Sequence, residues 1–266
     1  MDKILSGMQN VFCYINDILI ATDTHEQHMR TLNELFARLE KYNVRLNREK
    51  CQFLKPSIKY LGHVLTADGI KPLQDKVEAI KNAPRPKNVS ELKSFLGMVN
   101  YYGKFVPNLS SKLHSLYTLL QHSTEWKWCA KCEEAFTYAK SMLASDHVLV
   151  HYDPSKPLML SVDASPYGLG AVLSHKLDDG TEKPIAYASR TLTAAEKNYA
   201  QIDKEGLAIV FGVKKFHQYL YGRDLLLITD HQPLTRIFGP KAGIPPLAAA
   251  RMQRWALLLS GYQYKI

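Results

Sequence analysis

Leu158-Met159-Leu160-Ser161-Val162-Asp163-Ala164-Ser165-Pro166-Tyr167-Gly168-Leu169-Gly170-Ala171-Val172-Leu173-Ser174-His175 is the stretch that decides the fold. Leu158 to Asp163 and Gly170 to His175 are short apolar runs of strand length. A third such run, Pro184 to Ala188, follows the turn signal Asp178-Asp179-Gly180-Thr181. The spacing predicts a three-stranded meander with Gly168-Leu169-Gly170 as a hairpin turn. Thr193-Ala194-Ala195-Glu196 has the form of a capping box, and Leu207, Val210, Phe211 and Phe216 then recur as on a long helix. Leu225-Leu226-Leu227-Ile228-Thr229-Asp230 predicts a buried strand of the kind covered by helices on both faces. The order is β-β-β-α-β-α, and Tyr262 to Ile266 begins another strand: a mixed-sheet α/β domain over about 155–266.

Upstream the texture differs. Over residues 1–70, Val11 to Ile15 and Ile18 to Ala21 flank a polar Asn16-Asp17 corner, which reads as a β-hairpin. Met29, Leu32, Leu35, Phe36 and Leu39 repeat at spacings of three and four, the stripe of an amphipathic helix over 25–42. A strand-turn-strand from Lys59 to Thr66 runs into Asp68-Gly69. Residues 71–145 turn helical, with Pro84-Arg85-Pro86 between two helices and Asn88-Val89-Ser90-Glu91 opening the second. Asp146 to Pro157 reads as a connector.

The chain has 266 residues, 34 Lys plus Arg against 25 Asp plus Glu, and a net charge of +9, split +5 and +4 at residue 150. Both halves are basic, which suits a polyanionic partner because each neutralised phosphate releases counterions. A composition of 46% hydrophobic and 22% charged residues excludes intrinsic disorder, and no apolar run reaches the ~18 residues of a membrane span. Without a signal-peptide core, and with only Cys13, Cys51, Cys129 and Cys132, the chain is expected inside the cell with reduced thiols; nucleus and cytoplasm stay equally open, as does oligomeric state. Cys129-Ala130-Lys131-Cys132 has zinc-knuckle spacing but no second pair at ligand spacing, so no metal is assigned to it. Trp126 and Trp128 are expected to pack the helical module against the second domain. The histidines read as surface or packing residues, and no phosphate-binding glycine loop is present.

Asp163 ends the first strand of the β-β-β-α-β order, Glu205 sits on the helix and Asp230 ends the later strand. Taken singly, Asp163 reads as a turn cap and Glu205 as a solvated helix residue. Taken together, carboxylates from neighbouring strand ends and a facing helix crowd negative charge, which divalent cations relieve; that predicts Mg²⁺. Two metals about 4 Å apart can activate a water and stabilise the leaving oxygen of a phosphodiester.

Leu160 to Ser165, Gly168 to Leu173, Ile185-Ala186-Tyr187-Ala188-Ser189-Arg190, Lys204-Glu205, Thr229-Asp230-His231-Gln232-Pro233-Leu234 and Arg251-Met252-Gln253-Arg254-Trp255 resemble, in order and spacing, the ribonuclease H domain of Ty3/gypsy-type retrotransposon polyproteins. The resemblance implies a two-metal Mg²⁺ or Mn²⁺ site with Asp163, Glu205 and Asp230 as catalytic metal ligands, Asp163 touching both ions. It also implies a fourth carboxylate beyond Ile266, so the domain reads as truncated there.

Phe12-Cys13-Tyr14-Ile15-Asn16-Asp17-Ile18-Leu19 looks like the reverse-transcriptase active-site hairpin of the same family, with Asn16 where the family has the first of two aspartates. The resemblance makes Asp17 a metal ligand of a degenerate polymerase site, since an amide contributes no net charge beside the metals. The family's remaining aspartate would fall before Met1, so polymerisation by this chain is expected to be absent. Lys59-Tyr60-Leu61-Gly62-His63-Val64 and Lys93 to Phe105 are similar to the palm end and thumb. They imply nucleic-acid contacts from Arg85, Lys93, Tyr101 and Lys104, joined by Arg190 in the second domain, while Phe95, Leu96 and Tyr102 read as helix core. The fold class is α/β: an α+β palm remnant, a helical thumb or connection, and a ribonuclease H-like domain. Two functions remain open, a metal-dependent endonuclease cutting the RNA strand of RNA/DNA hybrids and a non-catalytic relic that binds nucleic acid.

Overall fold

A computed structural model describes residues 1–121, 124–144, 148–177, 179–239 and 250–266. The chain forms two compact units, Met1–Lys55 and Pro56–Ile266.

The first unit contains α1 (Asp2–Leu5), a hairpin of β1 (Val11–Tyr14) and β2 (Asp17–Ile20), and α2 (His25–Lys41). Thr24 starts α2 by accepting the Gln27 N–H on its hydroxyl at 3.2 Å, and Leu35 and Leu39 bury the predicted stripe against Leu5. Phe36, at the edge of that stripe, stays exposed. Tyr14 pairs with Asp17, so the hairpin turn is Ile15-Asn16, one residue earlier than the polar corner suggested. A two-residue loop is the shortest closure for this register. Its cost falls on Ile15, a β-branched residue held at φ 56°.

The second unit opens with a meander of β3 (Ser57–Tyr60), β4 (His63–Thr66) and β5 (Gly69–Pro72), one strand more than the sequence suggested. The extra strand is short and ends in proline; it is fixed by Ile70, which exchanges backbone hydrogen bonds with Leu149 of the expected connector at 2.7 and 3.0 Å. Gly69 (φ +148°) is required there, since a Cβ would collide with the Leu149 carbonyl. Residues 146 and 147 of that connector lie outside the described residues.

The helices α3 (Gln74–Lys81), α4 (Val89–Tyr101), α5 (Leu109–Lys112), α6 (His114–Thr118) and α7 (Ala130–Ala144) follow. Asn88 caps α4 by accepting the Glu91 N–H at 2.9 Å. Leu92, Phe95, Leu96, Val99, Tyr102, Phe105 and Phe136 fill one core. Trp126 and Trp128 pack on that same core, Trp128 edge-on to Phe136, and Arg85 covers Trp128 at 5.0 Å. They therefore serve the helical module itself, where the sequence suggested a contact with the second domain.

The remaining elements are β6 (Leu158–Ala164), β7 (Gly168–Lys176), β8 (Glu182–Thr191), α8 (Ala194–Lys197), α9 (Gln201–Lys215), α10 (His217–Leu220), β9 (Asp224–Ile228), α11 (Gln232–Phe238), α12 (Ala250–Leu259) and β10 (Gln263–Lys265). The sheet order is β10-β9-β6-β7-β8, with β6-β7-β8 antiparallel and β9 parallel to both β6 and β10. The predicted meander is thus present, but Gly168 and Gly170 lie inside β7, paired with Thr191 and Ser189, and the turn falls at Ser165–Tyr167. Asp178 of the second turn lies outside the described residues; Gly180 turns there at φ +82°. The Thr193–Glu196 capping box forms but caps only α8, and the long helix restarts at Gln201. α9 lies on the sheet, where Gly212 brings its backbone within van der Waals reach of Leu160, Val162 and Ala171. β9 alternates exposed and buried residues, Leu226 and Ile228 facing outward, where its apolar run suggested cover on both faces. Among the described residues no helix is long and apolar enough to cross a membrane.

Candidate active site

Strand pairing brings two of the three singled-out carboxylates to one edge. β6 and β9 run parallel with Ser161 opposite Ile228 as the last pair. Asp163 and Asp230 each stand two residues further on, so they leave the same end of the sheet on adjacent strands, and both are exposed. Carboxyl ends of neighbouring parallel strands are a common place for a binding crevice in α/β folds.

The third carboxylate comes from the helix above. Glu205 is 4% exposed, one turn into α9. Its Oε1 accepts from Gln201 Nε2 at 2.6 Å, and Gln201 also donates to the Ala164 carbonyl at 3.3 Å, tying the helix start to the end of β6. Among the described residues its buried Oε2 has no hydrogen-bond partner. Burial, with the negative charges of Asp230 and Asp163 adding to it, pushes the Glu205 carboxyl up to about 7. The three groups are therefore electrostatically coupled: near neutral pH and below, Glu205 keeps much of its proton unless positive charge joins it. Among the described residues no three His, Cys, Asp or Glu side chains are drawn together as tightly as a held ion requires. Hard carboxylate oxygens, one of them orphaned and buried, are nonetheless the donor set that suits Mg²⁺ or Mn²⁺.

Residues from the helical module also reach this edge. Asn108, at φ 49° just before α5, donates through Nδ2 to Asp163 Oδ2 at a long 3.4 Å. A Cβ on Gly170 would coincide with the Asn108 carboxamide, and one on Gly168 would meet Ser111 Oγ at 2.8 Å. Ser111 and Ser165 share a hydrogen bond of 2.8 Å, the Ser110 N–H donates to Ser189 Oγ at 2.9 Å, and His114 stacks on Tyr167 at 4.4 Å. The two glycines of β7 are the floor on which the helical module docks. Sequence reasoning missed Asn108, Ser111 and Gln201; the alternating glycines were the available signal, misread as a turn.

The residues singled out for nucleic acid do not share one environment. Lys93 on α4 is exposed. Tyr101 is 54% exposed, yet its hydroxyl donates to the Leu61 carbonyl at 2.8 Å and its ring stacks on His63. Lys104 is half-buried beside Phe105, and desolvation holds its ammonium below the usual lysine range. Arg85 lies over Trp128, 4.0 Å from Glu133. Arg190 grips Glu196 through both terminal nitrogens at 2.7 and 2.9 Å, which engages its guanidinium within the fold. In the first unit, Asn16 and Asp17 stand exposed at the tip of the β1-β2 hairpin.

Residues 153–262 match the RNase H-like domain found in reverse transcriptase, and residues 1–65 match reverse transcriptase, the RNA-dependent DNA polymerase. The retrovirus-related Pol polyprotein from transposon 297 of Drosophila melanogaster is 38% identical over all of this chain. The chain thus carries a reverse transcriptase match and an RNase H-like match, and its relatives are retrotransposon polyproteins. It spans 24% of the transposon 297 polyprotein. A foamy viral protease-reverse transcriptase in complex with double-stranded DNA superposes with a TM-score of 0.81 and 25% identity, covering 97% of this chain and 46% of that one. A foamy viral protease-reverse transcriptase in complex with RNA/DNA hybrid gives 0.79 at 24% identity, covering 99% and 36%. The expected family and the mixed α/β architecture are both borne out.

Proposed function

We propose that this chain acts as a ribonuclease H-type endonuclease on the RNA strand of RNA/DNA hybrids, and that its polymerase hairpin is inactive. The observation that carries the reading is Glu205: a buried carboxylate with an unpartnered oxygen whose ionisation is opposed by the charges of Asp230 and Asp163, which stand at the carboxyl end of a parallel strand pair. Asp163, Glu205 and Asp230 would hold two divalent cations, Mg²⁺ or Mn²⁺. When bound, such ions supply an acidified water and neutralise the charge that builds on the leaving oxygen.

The chain's own residues do the rest. Gln201 fixes the Glu205 rotamer through Oε1, which leaves Oε2 as the atom that keeps its proton near neutral pH and gives it up when positive charge arrives. Asn108 orients Asp163 from the helical module, so the arrangement of that module bears on the site. Lys93, Lys104, Tyr101 and Arg85 supply phosphate and sugar contacts in a basic chain, with Arg190 confined to what its pair with Glu196 leaves free. At the hairpin, Asn16 gives an uncharged carboxamide beside Asp17, which halves the negative charge the tip offers to a metal. In this reading residues 1–70 are palm, 71–145 thumb or connection, and 155–266 the nuclease domain. Four free thiols fit a reducing intracellular compartment.

The test is incubation of the protein with end-labelled RNA/DNA hybrid and Mg²⁺ or Mn²⁺, with Asp163→Asn as control. Metal-dependent shortening of the RNA strand alone, lost in the variant by about a hundredfold or more, is expected. Salt-sensitive hybrid binding with no cleavage above the variant would replace the enzyme by a binding module.

A further inference from the structure

Cys129 is the residue immediately before α7; its carbonyl accepts the Cys132 and Glu133 N–H groups at 2.9 and 3.1 Å, the first hydrogen bonds of the helix. Its side chain is exposed, while that of Cys132, one turn in, is 2% exposed. The two sulfurs lie 3.4 Å apart. A disulfide needs about 2 Å, so a small side-chain rotation brings them to bonding distance. We propose that Cys129 and Cys132 are a redox-active dithiol that exchanges with small-molecule disulfides of the glutathione disulfide class and closes to an intramolecular disulfide.

The division of labour follows from the two environments. Hydrogen bonding from Cys132, through its backbone first and its thiol second, at the start of the helix holds the Cys129 thiol below the usual cysteine range. Burial pushes the Cys132 thiol up. Cys129 is therefore the attacking thiolate and Cys132 the resolving thiol. The Cys129 thiolate attacks one sulfur of the incoming disulfide, the S–S bond breaks, and one small thiolate leaves and takes up the proton that Cys129 lost. Cys132 then gives up its proton and attacks Cys129 Sγ, expelling the second small thiol. Two cysteine thiols are oxidised and one small disulfide is reduced to two thiols. Cys13 and Cys51, each half-buried, have no cysteine beside them and provide internal controls.

The chain itself offers the readout, because Lys131 lies between the two cysteines. Trypsin separates them in the reduced protein, whereas a Cys129–Cys132 disulfide keeps the two peptides joined. After exposure of the full chain to glutathione disulfide, joined peptides with the loss of two hydrogens are expected. Cys132→Ser should accumulate a glutathione adduct on Cys129, and Cys129→Ser should form neither product. Iodoacetamide at neutral pH should label Cys129 about tenfold faster than Cys13 or Cys51. A stable glutathione adduct on wild-type Cys129 without joined peptides, or labelling of Cys129 no faster than of Cys13, would overturn the proposal, and neither depends on whether Cys132→Ser folds.

Discussion

Glu205→Gln is expected to remove metal-dependent hybrid cleavage by about a hundredfold or more, and at the same time to stabilise the metal-free protein at pH 8. The first effect follows from deleting one of the three carboxylate charges proposed to hold the metals. The second follows from linkage. The folded-state carboxyl titrates at about 7, against 4.5 for an ordinary glutamate, because burial and the charges of Asp230 and Asp163 oppose its ionisation. Between those two pH values the unfolded chain has lost this proton and the folded chain keeps it, so stability falls as pH rises through the window. Below about pH 4.5 the penalty is absent; above about pH 7 it is complete, at most about 3 kcal/mol. Glutamine keeps the shape and the Gln201 contact without the charge. Chemical denaturation without metal at pH 4.5, 6 and 8 should show the wild type losing stability relative to the variant over that interval. Equal slopes would mean that Glu205 ionises freely and that the three carboxylates are not coupled.

Leu160→Ala is expected to cost about 2–5 kcal/mol, enough to unfold much of the ribonuclease H-like domain at 37 °C. Leu160 is fully buried in β6, the central strand, under α9. Gly212 lets the α9 backbone approach so closely that little can relax into the vacated space, which places the cost toward the upper end. The strand carries Asp163 at its end, so the same change should also loosen the candidate site. A melting curve with far-ultraviolet circular dichroism measures it; a drop in Tm of only a degree or two would show that β6 is not the core of this sheet.

How much of this was legible beforehand varies with the kind of signal. Apolar runs of strand length located β6, β7, β8 and β9 because burial of alternate residues is a local requirement. The Thr193–Glu196 capping box was legible for the same reason, although where the long helix restarts depends on how α9 packs over the sheet. Asp163 and Glu205 could be singled out only in combination, since a single carboxylate at a strand end has a bland explanation. Their coupling with Asp230 needed the parallel register of β6 with β9, a long-range fact. The glycines of β7 were visible but misassigned, because what fills the space above them is Asn108 and Ser111, some sixty residues earlier in the chain. The bidentate pairing of Arg190 with Glu196 was not legible, because it depends on how the end of β8 meets α8.

Asp163, Glu205 and Asp230 are proposed to form one unit completed by divalent cations. Calorimetric titration of the protein with Mn²⁺ in buffers of different ionisation enthalpy, at pH 6.5 and pH 8, tests it most directly. Binding that releases about three-quarters of a proton at pH 6.5 and about a tenth at pH 8, and that is lost or strongly weakened in Asp163→Asn and Asp230→Asn, is the predicted result. Mn²⁺ uptake that is independent of pH and unchanged in both variants would contradict it.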